Sequence, residues 1–340
     1  MSDKTTIYDI AKKLDITAAT VSRALNNNPK ISAATRKLVL DTAAAMNYKQ
    51  NQLAQALRSG RSNNVGVIVP RVDSNFFGST IRGIEEVLQP HKYNVIICQT
   101  HEDENLEIES LNTLMNAQVD GILISVSNKS MANEKSLQRV TNKNVPLIFF
   151  DRRKIIEGVS SVTIDDYRAG YMATEHLINQ GCKRIAHLSG DRSLEIYDNR
   201  YKGYSQALLD HGMEVVEDYV ILTKSKLEEG ALAVKELMSL PEPPDAIFSS
   251  SDFAALGAIK ELKAQGVKIP EEVCVVGFGN EPFTKFMELS ISTIDQSPLE
   301  QGKVAAEVFL EQIGNSENLK IEKKVVLNPV LLVRDSSNRL

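Results

Sequence analysis

From residue 65 onward the chain alternates short, continuous apolar runs with longer stretches whose apolar residues recur at helical spacing. That alternation restricts the body of the protein to few folds. "VGVIV" (65–69), "NVIIC" (94–98), "GILIS" (121–125) and "PLIFF" (146–150) are interleaved with segments such as "FGSTIRGIEEVLQP" and "NLEIESLNTLMNAQ". The pattern resumes with "SSVTI", "RIAHLSG", "DAIFSS" and "VCVVGF". Continuous apolar strands separated by helices read as parallel sheets covered on both faces. There are too many for one sheet of ordinary width, so two lobes are expected, a first of about 64–160 with 293–322 and a second of about 161–292 with 323–335. The chain would leave the first lobe near 158–164, return at "ISTIDQSPLEQG" (291–302) and cross again through "KKVVLNPVLLVRDS". Ligands of doubly wound lobes sit at the carboxyl ends of the strands, here in the cleft between lobes.

The first 60 residues have a different texture and a different charge. They hold nine Lys and Arg against four Asp, a surplus of five positive charges, whereas the whole chain carries a formal −5. The other 280 residues therefore carry −10. A basic head on an acidic body repels polyanions everywhere except at one end, which favours nucleic acid as the partner of that end. The count alone is also what a solvated charged face shows.

Pattern narrows the choice. In "TTIYDIAKKL" Ile7, Ile10, Ala11 and Leu14 recur at helical spacing, with Thr5 or Thr6 placed to cap the start. Asp15 then supplies a residue that tolerates the left-handed conformation of a tight turn. A second helix follows Thr17 as N-cap, with Val21, Ala24 and Leu25 as its buried stripe, and small Ala11 lets the two helices cross closely. "ISAATRKLVLDTAAAMNY" reads as a third helix, capped by Ser32, with Leu38, Ala45 and Met46 facing inward. Two short helices joined by a tight turn form a helix-turn-helix, whose second helix enters the major groove of DNA. On that helix Ala18, Ala19, Ser22 and Arg23 are expected on the outer side. The small residues allow close approach, the methyls suit a thymine methyl, and Arg23 suits a guanine edge. The same residues also occur on ordinary surface helices.

The stretch from "TIYDIAKKLDITAATVSRALN" through "NYKQNQLAQALRSGRSNNVGVIVP" resembles the start of the lactose-repressor/galactose-repressor family of bacterial transcription regulators, and the similarity continues through the chain. Asp15 departs from it, since the family more often has glycine in that turn. The resemblance implies an all-α three-helix head (1–50), a hinge helix and linker (51–63), and a two-lobed α/β domain (64–340) of the periplasmic-binding-protein-like kind with doubly wound parallel sheets. It implies DNA contacts from Tyr8, Thr17, Ala18, Ala19, Thr20, Ser22, Arg23, Asn26, Ser32, Thr35, Tyr48, Asn51, Ala54 and Leu57. "NQLAQALRSG" would be the hinge helix that orders only on operator DNA, with Leu57 the minor-groove wedge and Ala54 allowing close approach. At roughly ten residues it is shorter than an isolated helix needs to persist in water. The alternative is a loose linker whose Leu53 and Leu57 pack on the body.

In the cleft, the resemblance implies effector contacts from Phe76, Phe77, Asp151, Arg152, Arg200, Ser251, Asp252 and Asn280. Ring faces of Phe76 or Phe77 suit the C–H face of a sugar, although aromatics at the start of a helix are also ordinary core residues. Ser251 and Asp252 stand where the family has an Asn-Asp pair, and Asp252 is equally placed as a helix N-cap. "VVGFGNEPF" departs further, because Gly279 stands where an aspartate is common. With that carboxylate gone and Arg152 and Arg200 kept, the expected effector is a small sugar, uronate or sugar phosphate, with the acidic ones favoured unless Glu281 swings in.

Other classes fail on named features. No H-E-x-x-H, G-x-x-x-x-G-K-[ST] or G-x-S-x-G occurs, and "GFGNEP" lacks the last glycine of a dinucleotide fingerprint. His91, His101, His176, His187 and His211 show no metal-ligand spacing, and Cys98, Cys182 and Cys274 suggest neither a disulfide framework nor a zinc site. No cofactor is expected. A sugar-binding transport receptor would need a signal sequence and no head, and an architectural DNA-binding protein would need no cleft. Runs such as "VGVIV" are too short to span a bilayer. The expectation is a cytoplasmic regulator, not an enzyme, that represses carbohydrate genes from palindromic operator DNA. It would act as a homodimer, with a tetramer as the alternative, because "VRDSSNRL" adds no leucine heptads.

Overall fold

The computed structural model describes residues 5–48, 61–127, 131–314 and 322–339. The chain divides into two compact units, Met1–Ser62 and Asn63–Leu340. In the first, the described residues form α1 (Ile7–Leu14), α2 (Ala18–Leu25) and α3 (Ala33–Ala45). The Asp9 carboxylate accepts from both the backbone N–H and the hydroxyl of Thr6, each at 2.7 Å, so the start of α1 is closed by its own third residue. Asp15 ends α1 at φ 52°, in the left-handed region. Thr17 caps α2 by accepting from the Thr20 N–H, and Ser32 caps α3 by accepting from the Thr35 N–H.

Ile10, Ala11, Val21, Ala24, Val39 and Ala43 form the core of this unit, and Ala18, Leu25, Met46 and Tyr48 pack partly against it. Three expectations need correction. Leu38 is 54% exposed and Ala45 is also outside, because the inward stripe of α3 runs Val39, Thr42, Ala43, Met46, the i, i+3, i+4, i+7 set of one helix face. Ala18, expected outside, shares its stripe with Val21 and Leu25 for the same reason.

The second unit opens with β1 (Asn64–Val69), α4 (Asn75–Leu88), β2 (Asn94–Gln99), α5 (Glu104–Asn116), β3 (Gly121–Ile124), α6 (Met131–Asn142), β4 (Leu147–Phe150) and β5 (Ser160–Ile164). It continues with α7 (Asp166–Asn179), β6 (Ile185–Ser189), α8 (Glu195–Asp210), β7 (Val220–Leu222), α9 (Leu227–Met238), β8 (Ala246–Ser249), α10 (Asp252–Ala264) and β9 (Cys274–Phe278). The short α11 (Phe283–Phe286), β10 (Ser292–Asp295), α12 (Pro298–Gly314), β11 (Lys324–Leu327) and β12 (Val330–Leu332) complete it.

Two six-stranded sheets result, ordered β11-β5-β4-β3-β1-β2 and β12-β10-β9-β8-β6-β7. All described pairings are parallel except β10 with the edge strand β12. Helices α4 and α12 cover one face of the first sheet around Val67, Phe77 and Phe309, and α5 and α6 the other around Ile68 and Leu114. In the second lobe α7 and α8 pack over Phe248 and Val276, and α9 and α10 over Ile247 and Val275.

The first two crossings fall in the stretches expected for them, at the end of 158–164 and within 291–302, but a few residues beyond the expected lobe bounds at 160 and 292. β5 pairs with β4 and so stays in the first sheet, and β10 pairs with β9 and stays in the second. The chain therefore changes lobes after Ile164 and again after Asp295. "KKVVLNPVLLV", read as one strand, is two: β11 pairs with β5 and β12 with β10, with Asn328 and Pro329 between them. A strand's sheet is chosen by its hydrogen-bonding neighbour, which composition does not reveal.

Candidate functional site

On the head, Ala19 and Arg23 lie exposed on α2, Ser22 and Thr20 are half-buried, and Ala18 packs on the core. The Thr17 and Thr20 hydroxyls are 2.9 Å apart at the start of α2, and the Ser32 and Thr35 hydroxyls 2.8 Å apart at the start of α3. Both helix starts thus present paired hydroxyls at the positive end of a helix, an arrangement suited to phosphate oxygens. Tyr8 is 71% exposed, while Tyr48 is partly packed against the head core. The Asn26 amide donates to the Ser22 carbonyl at 2.6 Å and closes the end of α2. Asn51, Ala54 and Leu57 lie outside the described residues.

In the body, the carboxyl ends of the two sheets converge. β4 ends at Phe150, and Asp151 turns the chain at φ 59°. One Asp151 oxygen accepts from the Ser125 hydroxyl at 3.1 Å, where β3 ends beside β4. Burial pushes the Asp151 carboxyl above the usual carboxylate range, against the pull of Arg152 and Arg200. Arg152 donates to both oxygens of Glu102 at 2.9 and 2.7 Å.

From the second lobe, Arg200 is 4% exposed. Its Nε donates to Asp166 at 2.7 Å, and its remaining nitrogens reach the Ser250 carbonyl at 3.4 Å and the Gln296 side-chain oxygen at 3.5 Å. The guanidinium carbon stands 3.5 Å from the centroid of the Phe278 ring, a close cation–π contact. Burial pushes Asp166 up to about 6, with Arg200 opposing the shift.

Several sequence expectations change here. Phe76 and Phe77 are 9% and 6% exposed and belong to the core of the first lobe. Their rings meet edge to face at 5.1 Å, and Phe77 meets Phe150 in the same way. Both rings pack chiefly against core neighbours of the first lobe.

Ser251 caps α10 by position without a side-chain capping bond. Asp252 is not the cap either: its carboxylate accepts from the Thr293 hydroxyl at 2.7 Å and the Glu281 N–H at 2.8 Å, which pins the loop after β9. Burial pushes it up to about 7, with both hydrogen bonds opposing. Asn280 donates to Asp295 and accepts from Arg334, at 3.1 and 2.8 Å, so its amide is engaged within the second lobe. Gly279 adopts φ 125°, a conformation L side chains rarely take. The charges of the arginines that favoured an acidic effector already face carboxylates, Arg152 that of Glu102 and Arg200 that of Asp166, although the buried Arg152 Nε has no hydrogen-bond partner among the described residues. No surplus of positive charge faces the cleft from these pairs.

Sequence reasoning missed Asp166, Ser125, Glu102, Gln296 and Ser250. The Ser250 hydroxyl is buried and has no hydrogen-bond partner among the described residues. Asp166 was visible as half of "DD" at a helix start, but its bond to a residue 34 positions away is a tertiary fact. Among the described residues there is no helix long and apolar enough to cross a membrane and no group of three His, Cys, Asp or Glu that could hold a metal ion.

Comparison with known proteins bears on both units. Residues 6–51 match the family of bacterial regulatory proteins, lacI family, and residues 62–329 match periplasmic binding proteins and sugar binding domain of LacI family. The chain is 32% identical over 310 residues to catabolite control protein A of Priestia megaterium, covering 91% of this chain and 92% of that one. It is similar to the transcriptional regulator CelR in complex with cellobiose, with TM-score 0.72 and 27% identity over 98% of this chain and 99% of that one. The lac repressor dimer bound to operator and the anti-inducer ONPF shares the fold, with TM-score 0.86 and 21% identity over 98% of this chain and 99% of that one.

Proposed function

The chain belongs to the LacI family of bacterial regulatory proteins, and from that premise we propose that it represses carbohydrate genes by binding a palindromic operator and is released or retained by a neutral sugar in its cleft. The observation that carries this reading is the combination in one chain of an exposed Arg23 face on α2 with a cleft whose charges are paired within the protein. Arg23 reads a guanine edge from the major groove, while Thr17, Thr20, Ser32 and Thr35 hold phosphates. Two such heads in a homodimer match the two-fold symmetry of a palindrome. The work is done in the cytoplasm, where the operator is, and requires no catalysis.

In the cleft, Asp151 accepts from sugar hydroxyls, the Ser250 hydroxyl supplies a further bond, and Arg200 is held beside the two chain crossings through Asp166 and Gln296. A polyol needs donors and acceptors without net charge, and this set provides them. An additional carboxylate or phosphate on the ligand would meet arginines already neutralised and carboxylates nearby. The test is a thermal-shift panel on the full chain with cellobiose, ribose and other neutral sugars against matched uronates and sugar phosphates. Neutral sugars are expected to raise the melting temperature. Stabilisation by the anionic compounds alone would overturn the neutral-sugar assignment and restore the acidic one.

A further inference from the structure

The tripeptide Asp151-Arg152-Arg153 leaves β4 in a tight turn, with Phe150 and Arg152 forming an isolated bridge across Asp151. The turn sends the two arginines to different partners. Arg152 pairs with Glu102 inside the first lobe, as Arg200 pairs with Asp166 inside the second. Arg153 instead crosses the cleft. Its Nε donates to one oxygen of Glu195 at 3.1 Å and its Nη2 to the other at 2.8 Å, a two-point contact in which both guanidinium donors face one carboxylate. Glu195 is the first residue of α8, where the helix N-terminus favours a negative charge and so helps hold it ionised and in place. The same helix carries Arg200 one and a half turns further on.

We propose that Arg153 and Glu195 form a latch across the mouth of the cleft that holds the lobes together and sets how long a bound sugar stays. The sugar in this statement rests on the cleft reading above; the latch itself does not. Three features support it. The pair joins the β4–β5 connection of one lobe directly to α8 of the other, so separating the lobes must break it. It is the outermost of the three ion pairs, with side chains 25% and 46% exposed against 4% and 6% for Arg200 and Asp166, which places it at the rim, where a ligand enters. Arg153 also lines a cavity of about 380 Å³ on the first-lobe side, whose wall carries Lys154, Glu157, Glu322 and Lys324, so the guanidinium borders open space into which it can turn when the lobes part. Two arrangements of one side chain then accompany two arrangements of the lobes.

The experiment compares the full chain with Arg153→Glu, Glu195→Arg and the exchanged pair Arg153→Glu/Glu195→Arg. Small-angle X-ray scattering without sugar reads lobe separation, and stopped-flow dissociation of cellobiose and ribose reads residence. Each single reversal puts like charges face to face. It is expected to enlarge the scattering dimension of the unliganded chain and to speed sugar release roughly 5- to 10-fold. The exchanged pair restores both, and raising salt speeds release from the parent but not from an Arg153→Gln/Glu195→Gln variant. Equal scattering and equal release for all four chains would overturn the latch. If the parent binds neither sugar, the cleft reading fails, and scattering alone decides the latch: expansion in the single reversals with recovery in the exchanged pair supports it, and no change overturns it.

Discussion

Arg23 and Asp252 show how differently two residues can be legible. Arg23 sits one position before the buried Ala24 on a helix whose stripe is evident from spacing, so its exposure follows from the pattern alone. Arg23→Ala is expected to weaken operator binding by about 1–3 kcal/mol while leaving the salt-dependent binding to random DNA largely intact. Mobility-shift titrations on both DNAs check this, and an equal loss on each would remove its base-reading role. Asp252 was read as a cap or a ligand contact, and the structure gives it a third task, holding the loop after β9 through Glu281 and Thr293. Its carboxyl titrates at about 7, raised first of all by burial, with the Glu281 N–H, Thr293 and Arg334 opposing and the Glu281 carboxylate adding to the rise. The unfolded chain releases this proton near 3.8. The native state therefore holds more protons between these values, and stability from this group is full below about pH 4 and lost as pH rises through about 7. Asp252→Asn removes the titration, so the melting temperature of the variant relative to the parent should rise across that window. A difference that stays constant with pH would mean that Asp252 is ionised throughout. Asp166, raised to about 6, contributes in the same direction and remains in both chains.

At the level of elements, the apolar runs located most of the strands but did not assemble them. β7 was missed because three residues carry too little periodicity, and the final segment was merged because no breaker other than Asn328-Pro329 separates its halves. Helix pairing was equally hidden. A Cβ on Gly170 would stand 2.1 Å from the Arg200 carbonyl oxygen, and one on Gly203 2.0 Å from that of Tyr167, so α7 and α8 touch backbone to backbone through reciprocal glycines. α4 and α12 do the same at Gly83 and Gly302, and α9 and α10 at Gly230 and Gly257. Such approach is open only to a residue without a side chain. Gly170→Ala should cost about 1–3 kcal/mol through overpacking. It should also weaken sugar binding, because the atom it strikes belongs to Arg200. Calorimetric melting together with sugar titration tests this; a variant that loses stability but keeps full sugar affinity would show that Arg200 is positioned independently of the α7–α8 contact.

At the scale of the whole molecule, a regulator is two binding sites with a coupling free energy between them, and that coupling is reciprocal. If cellobiose lowers operator affinity by some factor, operator DNA must lower cellobiose affinity by the same factor. Titrating the sugar with and without operator measures it, and unchanged sugar affinity on DNA would mean that the cleft does not control the head through this ligand. The class of protein was legible locally. Capped amphipathic helices, a turn residue at Asp15, a basic head and alternating strands and helices are short-range patterns, and together with the resemblance they carry they pointed to a DNA-binding head on a doubly wound body. The effector chemistry was not decided there. Arg152 and Arg200 looked like surplus charge in the sequence, because a charge is neutralised by whatever stands within a few ångströms of it, and Glu102 and Asp166 lie 50 and 34 residues away along the chain. Local pattern fixes which groups a chain carries and on which face of an element they lie; only folding determines which of them are left with bonds still to offer a ligand.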